Sequence, residues 1–318
     1  MASDGKRSSG AALQASERLP LGDVVERLRG AHDGLSRWPE AACQLLPSRD
    51  ALIGVVEALR SVLFPGYFGD TDLDEQTLPF HLGATLDRAV HGLREQIRRG
   101  LCAACAEPDP RRCPQCDERA ADLAQRFISR LPDVRRLLAA DVQAAYEGDP
   151  AARSPSEAIL CYPGIFAATN YRLAHELHVL EVPLLPRMIT EHAHSITGID
   201  IHPGARIGER LFIDHGTGVV VGETAIIGNR VRIYQGVTLG ARSFPLDEQG
   251  HPIKGIARHP IIEDDVIIYS GATILGRVRI GARSIIGGNV WLTHGVPPDS
   301  RISQVEVRDQ GFAEGGGI

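Results

Sequence analysis

Residues 199–240 read IDIHPGARIGERLFIDHGTGVVVGETAIIGNRVRIYQGVTLG, and the spacing of their aliphatic side chains decides the fold. Ile201, Ile207 and Ile213 are six apart, and Val221, Ile227, Ile233 and Leu239 keep the same interval. After an interruption Ile262, Ile268, Ile274, Ile280, Ile286 and Leu292 resume it. An amphipathic helix repeats every 3.6 residues and a half-buried strand every two, so a sustained period of six fits neither. It fits hexapeptide units, each a short strand and a turn, three of which close one triangular coil of a left-handed parallel β-helix. The small or β-branched residues two positions earlier (Ala205, Ala225, Val231, Val237, Val266, Ala272, Val278, Ser284) suit a narrow shaft. Glycines that follow the aliphatic position, among them Gly208, Gly222, Gly228, Gly240, Gly281 and Gly287, predict tight corners.

Upstream of Gly198 the apolar spacing is helical. Leu52, Val55, Val56, Leu59, Val62 and Leu63 share one face of a helix capped by Ser48, and further helices are predicted over 77–101, 117–130, 133–147 and 163–181. Ser154, Pro155 and Glu157 form a capping box that starts another. The chain therefore reads as α + β. A polar, disordered leader (1–18) precedes an all-helical domain (19–197) with a cysteine-rich insertion at 102–116. A left-handed β-helix (198–298) interrupted by a loop at 241–260 follows, and then a flexible tail (299–318).

Composition excludes several classes. Hydrophobic residues at 43% and charged residues at 23% are globular values, which rules out a disordered chain or a coiled coil. A formal net charge of −6 gives no electrostatic footprint for nucleic acid. No apolar run reaches the roughly 18 residues of a membrane span, and the polar start carries no signal-peptide stretch, so a cytoplasmic protein is expected.

Of six cysteines, Cys102, Cys105, Cys113 and Cys116 share one 15-residue window, whereas Cys43 and Cys161 stand apart. Two C-x2-C pairs separated by seven residues suit two knuckles around one tetrahedral structural Zn²⁺. Free thiols, redox-formed disulfides and iron–sulfur ligation are the alternatives at this spacing.

The period breaks twice, and both breaks carry histidine. The step from Ile213 to Val221 is eight residues and holds His215, while the loop between Leu239 and Ile262 closes on His259. Long irregular loops inside compact domains are usually functional. Asp200 precedes His215 by 15 residues, close to one coil, so stacking is expected to bring a carboxylate to the imidazole. A carboxylate on one ring nitrogen fixes the tautomer and leaves the other nitrogen to take a proton, which describes a general base. The alternative is a structural histidine satisfying a turn. The pairs His175 and His178, and His192 and His194, are read as solvent or interhelical residues, and His202 as a structural or interface residue.

The runs Asp200-Ile201-His202-Pro203, Ile213-Asp214-His215-Gly216-Thr217-Gly218-Val219-Val220-Val221-Gly222-Glu223-Thr224, Val237-Thr238-Leu239-Gly240 and Arg258-His259-Pro260 closely resemble the bacterial and plant serine O-acetyltransferases. The resemblance extends from about Asp149 to Pro298. It implies acetyl transfer from acetyl-CoA to the hydroxyl of L-serine, with His215 as general base, Asp200 as its dyad partner and His259 facing the thioester. It also implies that Arg258 pairs with the serine carboxylate, Asp214 with its amino group, and that Asp149 reaches the substrate from the helical domain. Acetyl-CoA would lie along Gly240, Ala241, Ser270, Gly271 and Gly288, with the Gly240-Ala241 turn offering an oxyanion donor.

The family further implies a homotrimer or dimer of trimers, feedback inhibition by cysteine, and capture of the terminal Ile318 by O-acetylserine sulfhydrylase. The sequence departs from the family in its longer 241–257 loop with Asp247-Glu248, in Ala241, and in a tail that lacks the closing repeat after Pro298. Two competing readings are a hexapeptide acyltransferase with another hydroxyl acceptor and a non-catalytic partner of the sulfhydrylase. A zinc carbonic anhydrase would need three converging histidines, whose spacing is missing.

Overall fold

The computed structural model describes residues 21–30, 46–103, 105 and 113–304. The expected leader, Cys43 and the Ile318 tail lie outside the described residues. The chain divides into two units, residues 1–43 and 44–318. In the first, α1 (Leu21–Gly30) exposes Leu21, Val24, Val25 and Leu28.

Among the described residues the second unit begins with seven helices: α2 (Arg49–Leu63), α3 (Leu78–Cys102), α4 (Pro114–Ser129), α5 (Leu131–Gly148), α6 (Pro155–Cys161), α7 (Pro163–Val179) and α8 (Leu185–Thr197). Their starts follow local chemistry. Ser48 accepts the Ala51 N–H and Ser154 the Glu157 N–H, while proline occupies the first turn of α3 to α8, where its missing N–H costs nothing. The Glu157 carboxylate reaches back to the Arg153 N–H rather than to Ser154, a capping box displaced by one residue. Gly198, at φ 70°, ends α8 in the left-handed conformation.

Fourteen two- and three-residue strands among the described residues then wind a prism with three parallel faces. The first face stacks β1 (Asp200–Ile201), β4 (Val220–Val221), β7 (Thr238–Gly240), β10 (Thr273–Leu275) and β13 (Trp291–Leu292). The second stacks β2 (Arg206–Ile207), β5 (Ile226–Ile227), β8 (Ile261–Ile262) and β11 (Arg279–Ile280). The third stacks β3 (Phe212–Ile213), β6 (Arg232–Ile233), β9 (Ile267–Ile268), β12 (Ile285–Ile286) and β14 (Arg301–Ile302). β14 lies beyond Pro298, so the coil continues past the expected boundary and closes on β12.

Of the thirteen six-step aliphatic positions, all but the half-buried Ile207 are buried in the shaft. Each such burial is worth about 1.5–3 kcal/mol. The register records both breaks. Asp200 pairs with Val220, a coil two residues too long, and Val220 with Thr238, a regular coil of 18. Thr238 pairs with Thr273, a coil that extrudes the 241–257 loop as an exposed hairpin with Leu246 bridged to Pro252.

The glycines serve a different purpose from the one expected. Gly228 and Gly281 are not left-handed; a Cβ on Gly228 would lie 2.3 Å from Asp264 Oδ1, and one on Gly281 would lie 2.2 Å from the Pro298 nitrogen of a stacked coil. The corner between the second and third faces instead holds Arg210, Arg230, Asp265, Arg283 and Asp299, all with φ of 54–61°. Pairs such as Arg230–Asp265 (2.6 Å) and Arg283–Asp299 (2.7 Å) line up along it.

Helices and prism share their cores. Phe212 packs into the helical core, and Ala167 and Tyr171 of α7 pack into the shaft. Beside this contact Asp141 of α5 and Arg172 of α7 form a buried two-pronged pair (2.6 and 2.9 Å). Asp141 also accepts the Leu211 N–H, and Arg172 also donates to the Gly208 carbonyl, so both partners hold the first coil. Asp141→Ala strands a buried guanidinium and is expected to cost about 3–5 kcal/mol, whereas replacing both residues by leucine and methionine costs less. Urea midpoints of the two variants measure this, and a single variant no worse than the double one would remove the pair from the clamp.

Candidate active site

The expected residues gather at the two ends of the first face. At the entrance, where the third face turns into the first, the two extra residues of the long coil form a bulge. His215 sits there at φ 57°, an uncommon conformation for a residue with a Cβ, followed by left-handed Gly216 and Gly218. A Cβ on Gly216 would lie 2.4 Å from the Ile199 side chain, so the bulge needs glycine at that point. The bulge pushes the imidazole outward, leaving the side chain 71% exposed.

Asp149 reaches this corner from the C-cap of α5 and Tyr162 from the N-cap of α7, joined by a hydrogen bond in which the Tyr162 hydroxyl donates at 2.5 Å. That bond, the Ala151 N–H and the nearby His215 hold the Asp149 carboxyl below the usual range. Glycines make the approach feasible. A Cβ on Gly164 would lie 2.3 Å from the Ile213 carbonyl oxygen, and one on Gly148 would lie 2.6 Å from the Phe212 ring.

Coil by coil above Asp214 stand Tyr234 and Tyr269, whose rings stack at 5.1 Å and 12°. Burial, and then the Asp214 carboxylate, raise the Tyr234 phenol above its ordinary range. Ser270, Gly271 and Gly288 continue the same corner, where the Asn289 N–H donates to the Ser270 carbonyl.

The pairing of His215 with Asp200 is not made in this chain. His215 Nδ1 lies 3.9 Å from Asp214 Oδ1, and no hydrogen bond or ion pair engages the Asp200 carboxylate among the described residues. The register gives the reason. The long coil stacks Asp200 under Val220, five residues past His215, rather than under the bulge.

The far end of the first face holds the other half. Glu223 and Thr224 leave β4, and Arg258 and His259 enter β8 one coil higher. Arg258 donates to Glu223 at 2.8 Å rather than standing free. His259 is 6% exposed, with its Cδ2–Nε2 edge against Gly222, where a Cβ would lie 2.0 Å from the ring. Arg277, one coil further on, donates to the Thr224 and His259 carbonyls at 2.6 and 2.9 Å. Gly240 and Ala241 adjoin this end, and the Ala241 N–H donates to no backbone carbonyl among the described residues. In one chain, His215 and His259 thus occupy different corners, with β4 between their ends of the face.

Away from both corners, the thiols of Cys105, Cys113 and Cys116 lie within 4.8 Å of one another, and Cys116 is also in reach of the Cys102 thiol. Cys113 caps α4, and its sulfur accepts the Cys116 N–H; that bond lowers the thiol pKa, as suits a thiolate at a helix start.

The family described as Bacterial transferase hexapeptide (six repeats) matches residues 259–294. A Synechococcus elongatus protein named "Serine acetyltransferase, plasmid" is 57% identical over 275 residues, covering 86% of this chain and 86% of that protein. The chain belongs to the serine acetyltransferase family. The crystal structure of Entamoeba histolytica serine acetyltransferase 1 in complex with L-cysteine matches at TM-score 0.69 and 36% identity, over 81% of this chain and 87% of that one. A serine acetyltransferase in complex with CoA matches at TM-score 0.50 and 26% identity, over 78% and 95%. No helix among the described residues is long and apolar enough to cross a membrane.

Tyr162, Thr224, Tyr234 and Arg277 were not singled out by the sequence reading of this family member, nor was a role for Glu223. Thr224 and His259 are 35 residues apart, one coil plus the loop, so subtracting the loop from their separation would have revealed the stack.

Burial holds His259 and His202 down to about 4, His259 with help from Arg258 and His202 from Arg187. The unfolded chain, with these imidazoles near 6.5, binds protons between pH 6.5 and 4 that the folded chain does not, so stability falls as pH falls through that window. Urea midpoints from pH 7.5 to 5 are expected to decline, less steeply in His202→Asn. An equal slope in that variant would contradict the assignment for His202.

Proposed function

We propose that the chain acetylates the hydroxyl of L-serine with acetyl-CoA, giving O-acetylserine for cysteine biosynthesis, at a site where the His215 corner of one copy meets the His259 corner of another. The division of the site is the observation that carries this reading. Asp149, Asp214 and His215 offer anionic groups and a base at one corner, while Arg258 and His259 offer a cation and a second imidazole at the other. An amino acid needs both sets at once. A closed ring of three copies brings each corner of one kind against one of the other kind, which favours a trimer or a pair of trimers.

In that site Asp149 and Asp214 hold the serine ammonium. Glu223 grips one terminal nitrogen of Arg258 at 2.8 Å and the Ile256 carbonyl accepts from the other at 3.3 Å, so the serine carboxylate takes the N–H groups that these two contacts leave. A serine hydroxyl is a weak nucleophile near neutral pH, so His215 takes its proton as the oxygen attacks the thioester carbon. The Asp200 carboxylate, unengaged among the described residues, supports the imidazolium once the exposed His215 ring turns toward it. The Ala241 N–H is the backbone donor for the oxyanion, and Gly240, Ser270, Gly271 and Gly288 line the path of CoA. Collapse breaks the C–S bond, and the proton on His215 passes to the departing thiolate. Cysteine, a serine isostere, competes for the same ammonium and carboxylate contacts. Acetyl-CoA and free serine place the reaction in the cytoplasm.

The four-cysteine cluster fits a structural Zn²⁺. Tetrahedral Zn–S bonds of about 2.3 Å set sulfurs roughly 3.8 Å apart, and Cys105 and Cys113 Sγ are 3.8 Å apart. Cys102, Cys105, Cys113 and Cys116 would hold the ion and tie the end of α3 to the start of α4.

An assay of thiol release is expected to show turnover with serine in preference to homoserine or sugar acceptors, and His215→Ala is expected to lose about 10²-fold or more. His215→Ala and His259→Ala chains, unfolded together and reassembled, regain activity that neither has alone; failure to do so would place the site within one chain. Metal analysis is expected to find one zinc per chain, lost in Cys116→Ser with a lowered melting temperature. Protein purified under reducing conditions without zinc would overturn the metal assignment.

A further inference from the structure

The hydrogen-bond geometry around His259 assigns it a role that the proton-transfer chemistry leaves open. Its Nδ1 lies 3.0 Å from the Thr224 backbone nitrogen and 2.9 Å from Thr224 Oγ1. A backbone N–H can only donate, so Nδ1 must present a lone pair there. Thr224 Oγ1 accepts the Arg258 N–H at 2.9 Å and the His259 N–H at 3.1 Å, which fills its two acceptor positions. Its single proton then points at Nδ1. Both contacts require the same tautomer, with the ring hydrogen on Nε2.

The rest of the environment keeps the ring in that neutral form. The cations of Arg258 and Arg277 face it, and the carboxylate that acts on it among the described residues, Glu223, is engaged by Arg258. The Cδ2–Nε2 edge of the ring lies against Gly222, where no side chain fits, and no group among the described residues accepts a hydrogen bond from Nε2.

We propose that Thr224 is a positioning residue that locks His259 as a neutral Nε2–H donor, and that His259 donates to a substrate oxygen and takes no proton. This rests on the reading that the His259 corner faces the substrates of acetyl transfer. The acceptor is the thioester oxygen, whose π electron pair becomes the oxyanion as the serine oxygen bonds to carbon, or a serine carboxylate oxygen. In both cases the serine proton goes to His215 alone.

The test joins spectroscopy to kinetics. In ¹⁵N-labelled wild-type protein at neutral pH, the His259 ring is expected to show a protonated Nε2 and an unprotonated Nδ1; the opposite tautomer or an imidazolium would overturn the lock. His259→Gln keeps an N–H donor near the Nε2 position without a basic nitrogen. It is expected to retain at least tenfold more activity than His259→Ala, which loses about 10²–10³-fold if the hydrogen bond is to an oxyanion.

The lost activity appears in kcat if the thioester oxygen is the acceptor and in KM for serine if the carboxylate is. Gln as inactive as Ala would make His259 a base and refute the donor assignment. Thr224→Val is expected to lower activity and broaden the His259 ring signals, and Thr224→Ser to restore both; Ser behaving like Val would remove the hydroxyl from the role. A wild-type protein that does not acetylate serine refutes the functional reading instead, while the ¹⁵N signals still report on the lock.

Discussion

The arrangement depends on the buried pair between Asp141 and Arg172. A charge pair removed from water is stable only when its remaining hydrogen-bonding capacity is filled, and here the Leu211 N–H and the Gly208 carbonyl fill it. Those two groups belong to the first coil of the prism, so the pair couples α5 and α7 to the β-helix at a fixed register. Tyr171, donating to the Ala205 carbonyl, and His175, bonded to the Pro203 carbonyl, extend the seam along α7. Asp149 lies eight residues beyond Asp141 on the same helix, about 12 Å along its axis. Fixing Asp141 against Leu211 therefore delivers Asp149 to the Asp214 corner. A carboxylate at the end of a helix without that anchor would have no defined position relative to the histidine bulge.

The prism supplies the opposite property, regularity, and the candidate site sits where regularity fails. A coil of 18 residues repeats the same corner, and a corner packed coil on coil leaves little room for an outward-facing side chain. Two added residues create the His215 bulge, and seventeen more create the hairpin that ends at Arg258 and His259. One insertion exposes its histidine and the other buries it. The bulge adopts left-handed backbone at a residue with a Cβ, and the flanking Gly216 and Gly218 absorb the rest of the turn. The hairpin returns its chain onto Thr224 and Gly222, and the absence of a side chain at Gly222 is what admits the ring.

The period of six made the prism legible because the aliphatic shaft tolerates no other spacing, and capping residues such as Ser48 and Ser154 marked the helices for the same local reason. Side-chain partners were less legible. A separation of 15 residues, close to one coil of 18, suggested that Asp200 lies near His215, but the two inserted residues lengthen the coil and put Asp200 under Val220. Glycines that follow the six-step positions look like turn residues, whereas most of them are points where one coil presses on the next. The left-handed corner at Arg210, Arg230, Asp265, Arg283 and Asp299 has no glycine to announce it. The approach of Tyr162 to Asp149 depends on the angle between α5 and α7, which tertiary packing sets and local sequence does not. The family resemblance supplied roles for Arg258 and His259, but not the Glu223 and Thr224 contacts that hold them.

The contrast between the two histidines follows from their surroundings. An imidazole that must gain and lose a proton in each turnover needs water or a carboxylate near at hand to stabilise its cation, and His215 has both an exposed side chain and Asp214 and Asp149 beside it. An imidazole that must present a fixed hydrogen needs the reverse: one nitrogen occupied by donors, cations nearby and no solvent around the charged form. His259 has Thr224 on Nδ1, Arg258 and Arg277 around it, and a ring closed against Gly222. In the proposed mechanism, exchanging the two environments would deprive the reaction of its base and leave the substrate oxygen facing a histidine whose tautomer is undefined. The same residue type thus suits the two tasks proposed for it because one break in the period projects from the prism and the other folds back onto it.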